Sequence, residues 1–124
     1  MEFKWKEDHF VGEFSFGALP VSGQPTLGYS PFELMVSSIS VCSGSVLKKI
    51  LEKRRISVED ITVQANPVFK EEENRIVSIH LHFMIEANVS ETIAQKSVAL
   101  AFKNCPMVRS VEEAIQITES FEVK

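Results

Sequence analysis

The feature that most constrains this chain is a segment near residue 30 in which several signals for the start of an α-helix coincide. Ser30 stands where an N-cap residue is expected, Pro31 occupies the first helical position, and Glu33 follows the cap by three residues, as in a capping box. Tyr29 and Leu34 are spaced as a hydrophobic staple across the same turn. We therefore predict a long helix that begins at Pro31.

This helix is predicted to extend from Pro31 to about Arg55, and its middle has an unusual composition. Residues Ser37–Ser45 read SSISVCSGS, which is poor in strong helix formers, so tertiary packing has to supply the stability that helix propensity does not. We expect the helix to be buried nearly all round, with Ser40 and Gly44 forming a shallow strip that another backbone can approach. The rest of a small chain can hardly cover every side of a helix about 30 Å long. We therefore expect a homodimer that packs two such helices together.

Hydrophobic alternation elsewhere predicts strands on both sides of the long helix, and therefore an α+β fold. We find no repeat and no linker, and treat residues 1–124 as a single domain. In chain order we expect two strands within residues 3–16, a loop or short strand in 17–28, the long helix, an antiparallel hairpin of 61–66 with 77–86, a helix capped by Ser90, a short helix from Pro106 to about Ile115, and a strand from Gln116 to Val123.

Composition excludes several classes of function. A formal net charge of -4 lacks the basic excess that binds phosphates, so no nucleic-acid partner is expected. The uncharged run within the predicted long helix, Leu34 to Leu47, is 14 residues, which is shorter than the roughly 20 apolar residues that cross a bilayer, so no membrane span is expected. The opening MEFKWKED has neither the apolar stretch of a secretory signal nor the character of a transit peptide, which favours a cytoplasmic protein.

The two cysteines, Cys42 and Cys105, are the candidates for chemistry. They are not spaced as a zinc site and a structural disulfide is unusual in a reducing cytosol, so we expect no metal and no cofactor. Cys42 lies in the middle of the long helix and is either a small apolar filler, the commoner role of a buried cysteine, or a nucleophile. Cys105 precedes Pro106 and stands where it can be the N-cap of the next helix, whose unpaired N–H groups favour a thiolate.

The run SPFELMVSSISVCSGSVLKKILEKRR resembles the central helix of the OsmC/Ohr family, the osmotically inducible and organic-hydroperoxide-resistance proteins. The family pattern is P-x-E-L, a small-residue stretch and a cysteine eleven residues after the proline, which is the spacing of Pro31 and Cys42. The later segment NCPMVRSVEEAIQITESFEV resembles the second cysteine motif and the closing strand of the family. The similarity spans essentially the whole chain.

The resemblance implies an intertwined homodimer in which antiparallel sheets wrap two long central helices. It also implies a thiol peroxidase, in which a small organic hydroperoxide oxidises Cys42 to sulfenic acid, Cys105 resolves this as a disulfide, and a dithiol reductant opens the disulfide. Phe32, Met35 and Ile39 are candidates for lining an apolar substrate pocket, and equally candidates for plain core.

The chain departs from the hydroperoxide reductases of the family in two places, and so resembles the OsmC-like branch. Those enzymes hold the thiolate with an N-terminal arginine and a glutamate directly after the helix-opening proline, whereas here no arginine precedes Arg54 and Phe32 takes the glutamate position. Glu33 follows one residue later, as a capping residue or a catalytic one. It lies about 13 Å before Cys42 on the opposite side of the helix, so a catalytic Glu33 has to come from the partner subunit. Candidates to replace the arginine are Lys4, Lys6 and Arg109.

Two alternatives to a peroxidase stay open at this point. One is an OsmC-like module that binds an apolar small molecule with little or no peroxidase activity. The other is a thioesterase of the hot-dog kind, since such proteins also wrap a long helix in a sheet. His80 and His82 share one face of a strand, but two ligands are too few for a metal site, so we expect exposed strand histidines.

Overall fold

The computed structural model describes all residues from Met1 to Lys124 and is an α+β fold with two sheets. Its elements are β1 (Phe3–Lys6), β2 (His9–Glu13), β3 (Ala18–Val21), α1 (Pro31–Lys53), β4 (Val58–Lys70), β5 (Arg75–Ala87), α2 (Glu91–Asn104), α3 (Pro106–Val111) and β6 (Gln116–Val123). The long helix, the hairpin, the capped second helix and the closing strand are confirmed. The third helix ends at Val111, earlier than predicted, and the 17–28 segment carries the short strand β3.

The chain forms two compact units, of which the first is Met1–Ser37. Its strands β1, β2 and β3 make an antiparallel sheet in that order. At the start of α1 the backbone N–H of Glu33 donates to Ser30 Oγ over 3.0 Å, and the Ser30 hydroxyl donates to the Glu33 carboxylate over 3.0 Å. The predicted cap is confirmed, and it accounts for a helix that begins at Pro31.

The second unit is Ser38–Lys124, and its sheet has the order β4, β5, β6. Strands β4 and β5 form the predicted antiparallel hairpin, whereas β6 runs parallel to β5. The expectation of purely antiparallel sheets is therefore wrong for this pair. The reason is the connection, because α2 and α3 lie between the two strands and carry the chain back to the end from which β5 started.

The core of the second unit is built from one face of α1, one face of the sheet and one face of α2. The fully or almost fully buried apolar side chains are Ile39, Leu47, Leu51, Ile79, Leu81, Phe83, Ile85, Ala94, Val98 and Ala101. They alternate along β5 and recur at helical spacing in α1 and α2, as the sequence pattern predicts. By length and composition alone α1 could cross a membrane, but these buried positions are those of a core helix.

The single chain leaves one side of α1 uncovered, as expected for a long helix in a small chain. Val41, in the middle of the helix, is 65% exposed. A three-stranded sheet and one further helix cover only one side of a 23-residue helix. The small-residue strip is also occupied differently from the prediction, because a Cβ placed on Gly44 would lie 2.9 Å from a methyl carbon of Val63 in β4. The close approach made possible by Gly44 is therefore used by the chain's own sheet.

The C-terminal end of α1 is closed by a Schellman motif. The N–H of Ile56 donates to the carbonyl of Leu51 and that of Arg55 to the carbonyl of Glu52, and Arg55 has a φ of 62°. A left-handed residue cannot continue a right-handed helix, which is why α1 ends at Lys53 rather than at the predicted Arg55.

Candidate functional site

The structure brings the two cysteines together. Cys42 projects from the middle of α1 and is half-buried, and Cys105 lies at the junction of α2 and α3 with no exposed surface. Their side chains hydrogen-bond to each other, although both cysteines are free thiols. The junction is produced locally by Pro106, which occupies the first position of α3 and forces Cys105 into an extended conformation between the two helices.

Each sulfur also accepts a hydrogen bond from a different donor. The backbone N–H of Met107, in the first turn of α3, donates to Cys42, and the hydroxyl of Ser43 donates to Cys105 Sγ over 3.2 Å. Cys105 is the N-cap residue of α3, as predicted, but its side chain makes no capping hydrogen bond. Helix α3 therefore gives Cys105 no capping hydrogen bond, and the N–H of Met107 in its first turn acts on Cys42 instead.

The surroundings of Cys42 favour the neutral thiol. Burial raises the pKa of the Cys42 thiol above its usual range, and the neighbouring Cys105 raises this pKa further. The N–H of Met107 and the charge of Lys49 act in the opposite direction without reversing the shift. At neutral pH the thiol form of Cys42 therefore predominates in this chain.

Lys49, whose charge lowers the pKa of the Cys42 thiol, is a neighbour of Cys42 that sequence reasoning missed. It follows Cys42 by seven residues in α1, which is close to two full turns and places both on one face of the helix. Helical side chains lean towards the N-terminus, so the long side chain of Lys49 extends back in the direction of Cys42. The i, i+7 spacing is the signal that could have identified it, whereas the candidates considered were Lys4, Lys6 and Arg109.

The remaining predicted site residues lie on the N-terminal half of α1 in different environments. Ile39 has no exposed surface and belongs to the core, while Phe32 and Met35 are each 38% exposed. The carboxylate of Glu33 is bonded to the Ser30 hydroxyl in the capping box. Within a single chain, Ile39 is therefore a core residue and Glu33 is a capping residue.

His80 and His82 form a hydrogen-bonded chain with β6 instead of projecting freely from the sheet. Both rings approach the hydroxyl of Ser120, His80 Nε2 at 2.8 Å and His82 Nδ1 at 2.6 Å. The other ring nitrogens lie 2.7 Å from Thr118 Oγ1 and 3.3 Å from Glu122 Oε1. The expectation of exposed histidines is wrong, because the adjacent parallel strand half-buries both rings and provides a partner for every ring nitrogen. No cluster of three or more metal-ligating side chains is present.

Two cavities border the second unit away from the thiols. One of about 380 Å³ lies between α1 and β4, lined by Val41, Gly44, Ser45, Lys48, Ile61 and Val63. The other, of about 340 Å³, lies between α2 and β6 and includes Glu119. Burial raises the pKa of the Glu119 carboxyl, and its Oε2 atom is buried without a hydrogen-bond partner.

Comparison with known proteins places this geometry in a family. The family model described as OsmC-like protein matches residues 23–120, which include both cysteines. The Escherichia coli (strain K12) protein YhfA is 31% identical over 126 residues, covering 97% of this chain and 94% of that protein.

Solved structures show the same fold. A hypothetical protein from Aquifex aeolicus VF5 has a TM-score of 0.89 at 26% identity, over 99% of this chain and 93% of that chain. The organic hydroperoxide resistance protein OhrB of Bacillus subtilis has a TM-score of 0.65 at 16% identity, over 99% of this chain and 95% of that chain. The match of the family model over most of the sequence, together with the full-length similarity to YhfA, shows that the chain belongs to the OsmC-like protein family.

Proposed function

We propose that this protein reduces small organic hydroperoxides by a thiol–disulfide cycle between Cys42 and Cys105. The observation that carries the proposal is the closeness of the two cysteines, which come from segments far apart in the sequence: Ser43, the neighbour of Cys42, donates to Cys105 Sγ over 3.2 Å, and Cys105 acts on the pKa of the Cys42 thiol. Two thiols in contact can form a disulfide with little movement of the backbone. The solved structure of OhrB, an organic hydroperoxide resistance protein by its title, shares the fold and supports the proposal.

The difference in burial between the two cysteines supports an order in the cycle. Cys42 is half-buried and is reached by a hydroperoxide first, whereas Cys105 has no exposed surface. The Cys42 thiolate attacks one oxygen of the O–O bond, which gives Cys42 sulfenic acid and, after protonation, the alcohol. Cys105 then attacks the Cys42 sulfur as a thiolate, and the displaced hydroxide takes up a proton to become water. A dithiol reductant reopens the disulfide and completes the cycle.

Several parts of the proposal extend beyond one chain. The exposed side of α1 around Val41 is proposed to pack against a second copy, giving a homodimer. In that dimer Phe32 and Met35 line the substrate pocket with Ile39 behind them, and a catalytic Glu33 is supplied by the partner subunit. No cofactor is required, and a reducing cytoplasm keeps the two cysteines as thiols between turnovers.

The cycle can be tested by counting and mapping thiols before and after one equivalent of cumene hydroperoxide. The expected result is loss of two free thiols and a Cys42–Cys105 peptide by mass spectrometry, with formation of the corresponding alcohol. The Cys42→Ser variant should retain the Cys105 thiol and consume no hydroperoxide. Unchanged hydroperoxide consumption in that variant contradicts the proposal.

One observation favours a second candidate, a module that binds an apolar small molecule with little or no peroxidase activity. Burial raises the pKa of the Cys42 thiol and so disfavours the thiolate that attacks hydroperoxides. The cavity between α1 and β4 has a size within the range of ligand pockets. This candidate predicts a bound apolar compound in native mass spectra and thiols that a hydroperoxide does not pair.

A further inference from the structure

Ser43, which follows Cys42 in α1, directs its hydroxyl at a sulfur instead of at its own helix. Its side chain has no exposed surface and donates to Cys105 Sγ over 3.2 Å, across 62 residues of sequence. Ser97 of α2 is equally buried and shows the common alternative, since its hydroxyl donates to the carbonyl of Ile93 one turn earlier over 2.7 Å. Both serines satisfy their buried hydroxyl groups, but only Ser43 does so at a proposed reacting atom.

The Ser43 hydroxyl takes the place of the donor that helix α3 would otherwise supply to Cys105. Cys105 occupies the N-cap position but accepts no N–H from α3, whose Met107 N–H is directed at Cys42. Resolution of a sulfenic acid requires Cys105 to react as a thiolate, and a thiolate without solvent contact has to be stabilised by protein donors. The hydroxyl of Ser43 is such a donor, and it lies on the same helix as the sulfur under attack.

We infer that Ser43 is a catalytic residue of the resolving step. Its hydroxyl holds Cys105 Sγ close to α1 and stabilises the thiolate while this forms a bond to the Cys42 sulfur. In that step the S–O bond of the Cys42 sulfenic acid breaks, hydroxide leaves and is protonated to water, and Ser43 keeps its own proton. The inference deepens the proposed thiol–disulfide function and rests on it.

The test uses dithionitrobenzoate, an aromatic disulfide whose two reactions separate the two cysteines. Attack by Cys42 releases one thionitrobenzoate, and attack of Cys105 on the resulting mixed disulfide releases a second. We expect Ser43→Ala to slow the second release about tenfold, the effect of losing one hydrogen bond to a charged group, and to leave the first unchanged. Ser97→Ala is the matched control and should alter neither release.

A second pair of variants separates the hydroxyl from the packing of this buried position. Ser43→Thr keeps the hydroxyl and Ser43→Val replaces it with a methyl group of similar shape, so both add the same bulk. We expect a fast second release with Thr and a slow one with Val, in proteins whose circular dichroism matches that of the wild type. Equal rates for Thr and Val, or an unchanged second release in Ser43→Ala, would overturn the inference.

The same variants distinguish this inference from the proposed function. With cumene hydroperoxide, Ser43→Ala should accumulate Cys42 sulfenic acid, which dimedone traps, while the wild type proceeds to the disulfide. A wild-type protein that completes both releases with dithionitrobenzoate but consumes no hydroperoxide contradicts the peroxidase proposal. In that outcome a slow second release in Ser43→Ala still supports the role of Ser43 in disulfide formation.

Discussion

The middle of α1 and the α2–α3 junction hold their cysteines in different ways. In α1 the Cys42 sulfur is half-exposed, accepts a backbone N–H of Met107 and lies on the helix face that carries Lys49. At the junction Cys105 is fully buried, and its sulfur accepts a hydrogen bond from the Ser43 hydroxyl. An incoming oxidant can therefore reach Cys42, whereas Cys105 lies behind it and is shielded from solvent. In the proposed cycle this difference, and not the mere presence of two cysteines, decides which thiol reacts first.

The largest effect, on hydroperoxide turnover, is expected from removing the thiol of the buried Cys105. Cys105→Ala leaves Cys42 without a resolving thiol, so its sulfenic acid should persist and be oxidised further to sulfinic acid by excess hydroperoxide. Turnover with a dithiol such as dithiothreitol as the only reductant should fall sharply, while the first oxidation of Cys42 continues. Intact mass spectrometry after oxidation checks this, because two added oxygen atoms replace the loss of two hydrogens. Disulfide-linked monomers alone would show that resolution does not depend on Cys105.

The Cys42 thiol should lose its proton only at alkaline pH. Because burial raises the pKa of the Cys42 thiol, its alkylation by iodoacetamide should accelerate about tenfold per pH unit through neutral pH, with no plateau below pH about 9. Cys105 contributes to that rise, so Cys105→Ala should move the plateau to lower pH. Reactive thiols are counted by mass mapping at each pH. A plateau at pH about 6 in the wild-type protein contradicts the electrostatics described above.

A smaller effect is expected from Lys49. Its charge lowers the pKa of the Cys42 thiol, so Lys49→Gln should reduce the alkylation rate of Cys42 at neutral pH by about two- to threefold. Lys49 is exposed and its field is screened by salt, so the difference from the wild type should disappear near 1 M NaCl. Lys53→Gln changes the same charge one turn further along the helix and is the control. An equal effect of the two variants would show a general influence of net charge.

The smallest effect concerns stability at the start of α1. Glu33→Ala removes half of the capping box and should lower the free energy of unfolding by about 0.5–1 kcal/mol, whereas Glu33→Gln keeps an acceptor and should lower it less. Urea denaturation of both variants measures this. The same pair tests the proposed catalytic role, because loss of hydroperoxide reduction in the well-capped Gln variant requires the charge of Glu33 at the thiols of a partner subunit.

Local elements were predicted well because their signals act between neighbouring residues. Strand β6 was predicted with its observed bounds, and α1 with its observed start, from alternation and capping residues alone. The family and the two thiols could also be identified from sequence. The direction of β6 relative to β5 could not, since alternation is the same in a parallel and an antiparallel strand.

Long-range contacts account for the errors in the site. The unpaired N–H groups of α3 were expected to act on Cys105, whereas the N–H of Met107 acts on Cys42, a contact that sequence spacing does not reveal. Gly44 was interpreted as a contact for another helix and faces Val63 of β4. His80 and His82 were expected to be exposed, and the position of Thr118, Ser120 and Glu122 beside them follows only from strand pairing.

By itself, the amino-acid sequence determined the order and approximate bounds of the helices and strands, which face of each is apolar, and which two side chains carry thiols. Capping, alternation and composition are properties of residues close together in the chain, so they can be identified without knowledge of the tertiary structure. Only the tertiary structure decided that the two cysteines lie close together, that Cys105 is the more deeply buried, and that Ser43 and Lys49 act on them. These contacts depend on how α1 packs against α2 and α3, and no local preference encodes the order and orientation in which separate elements pack.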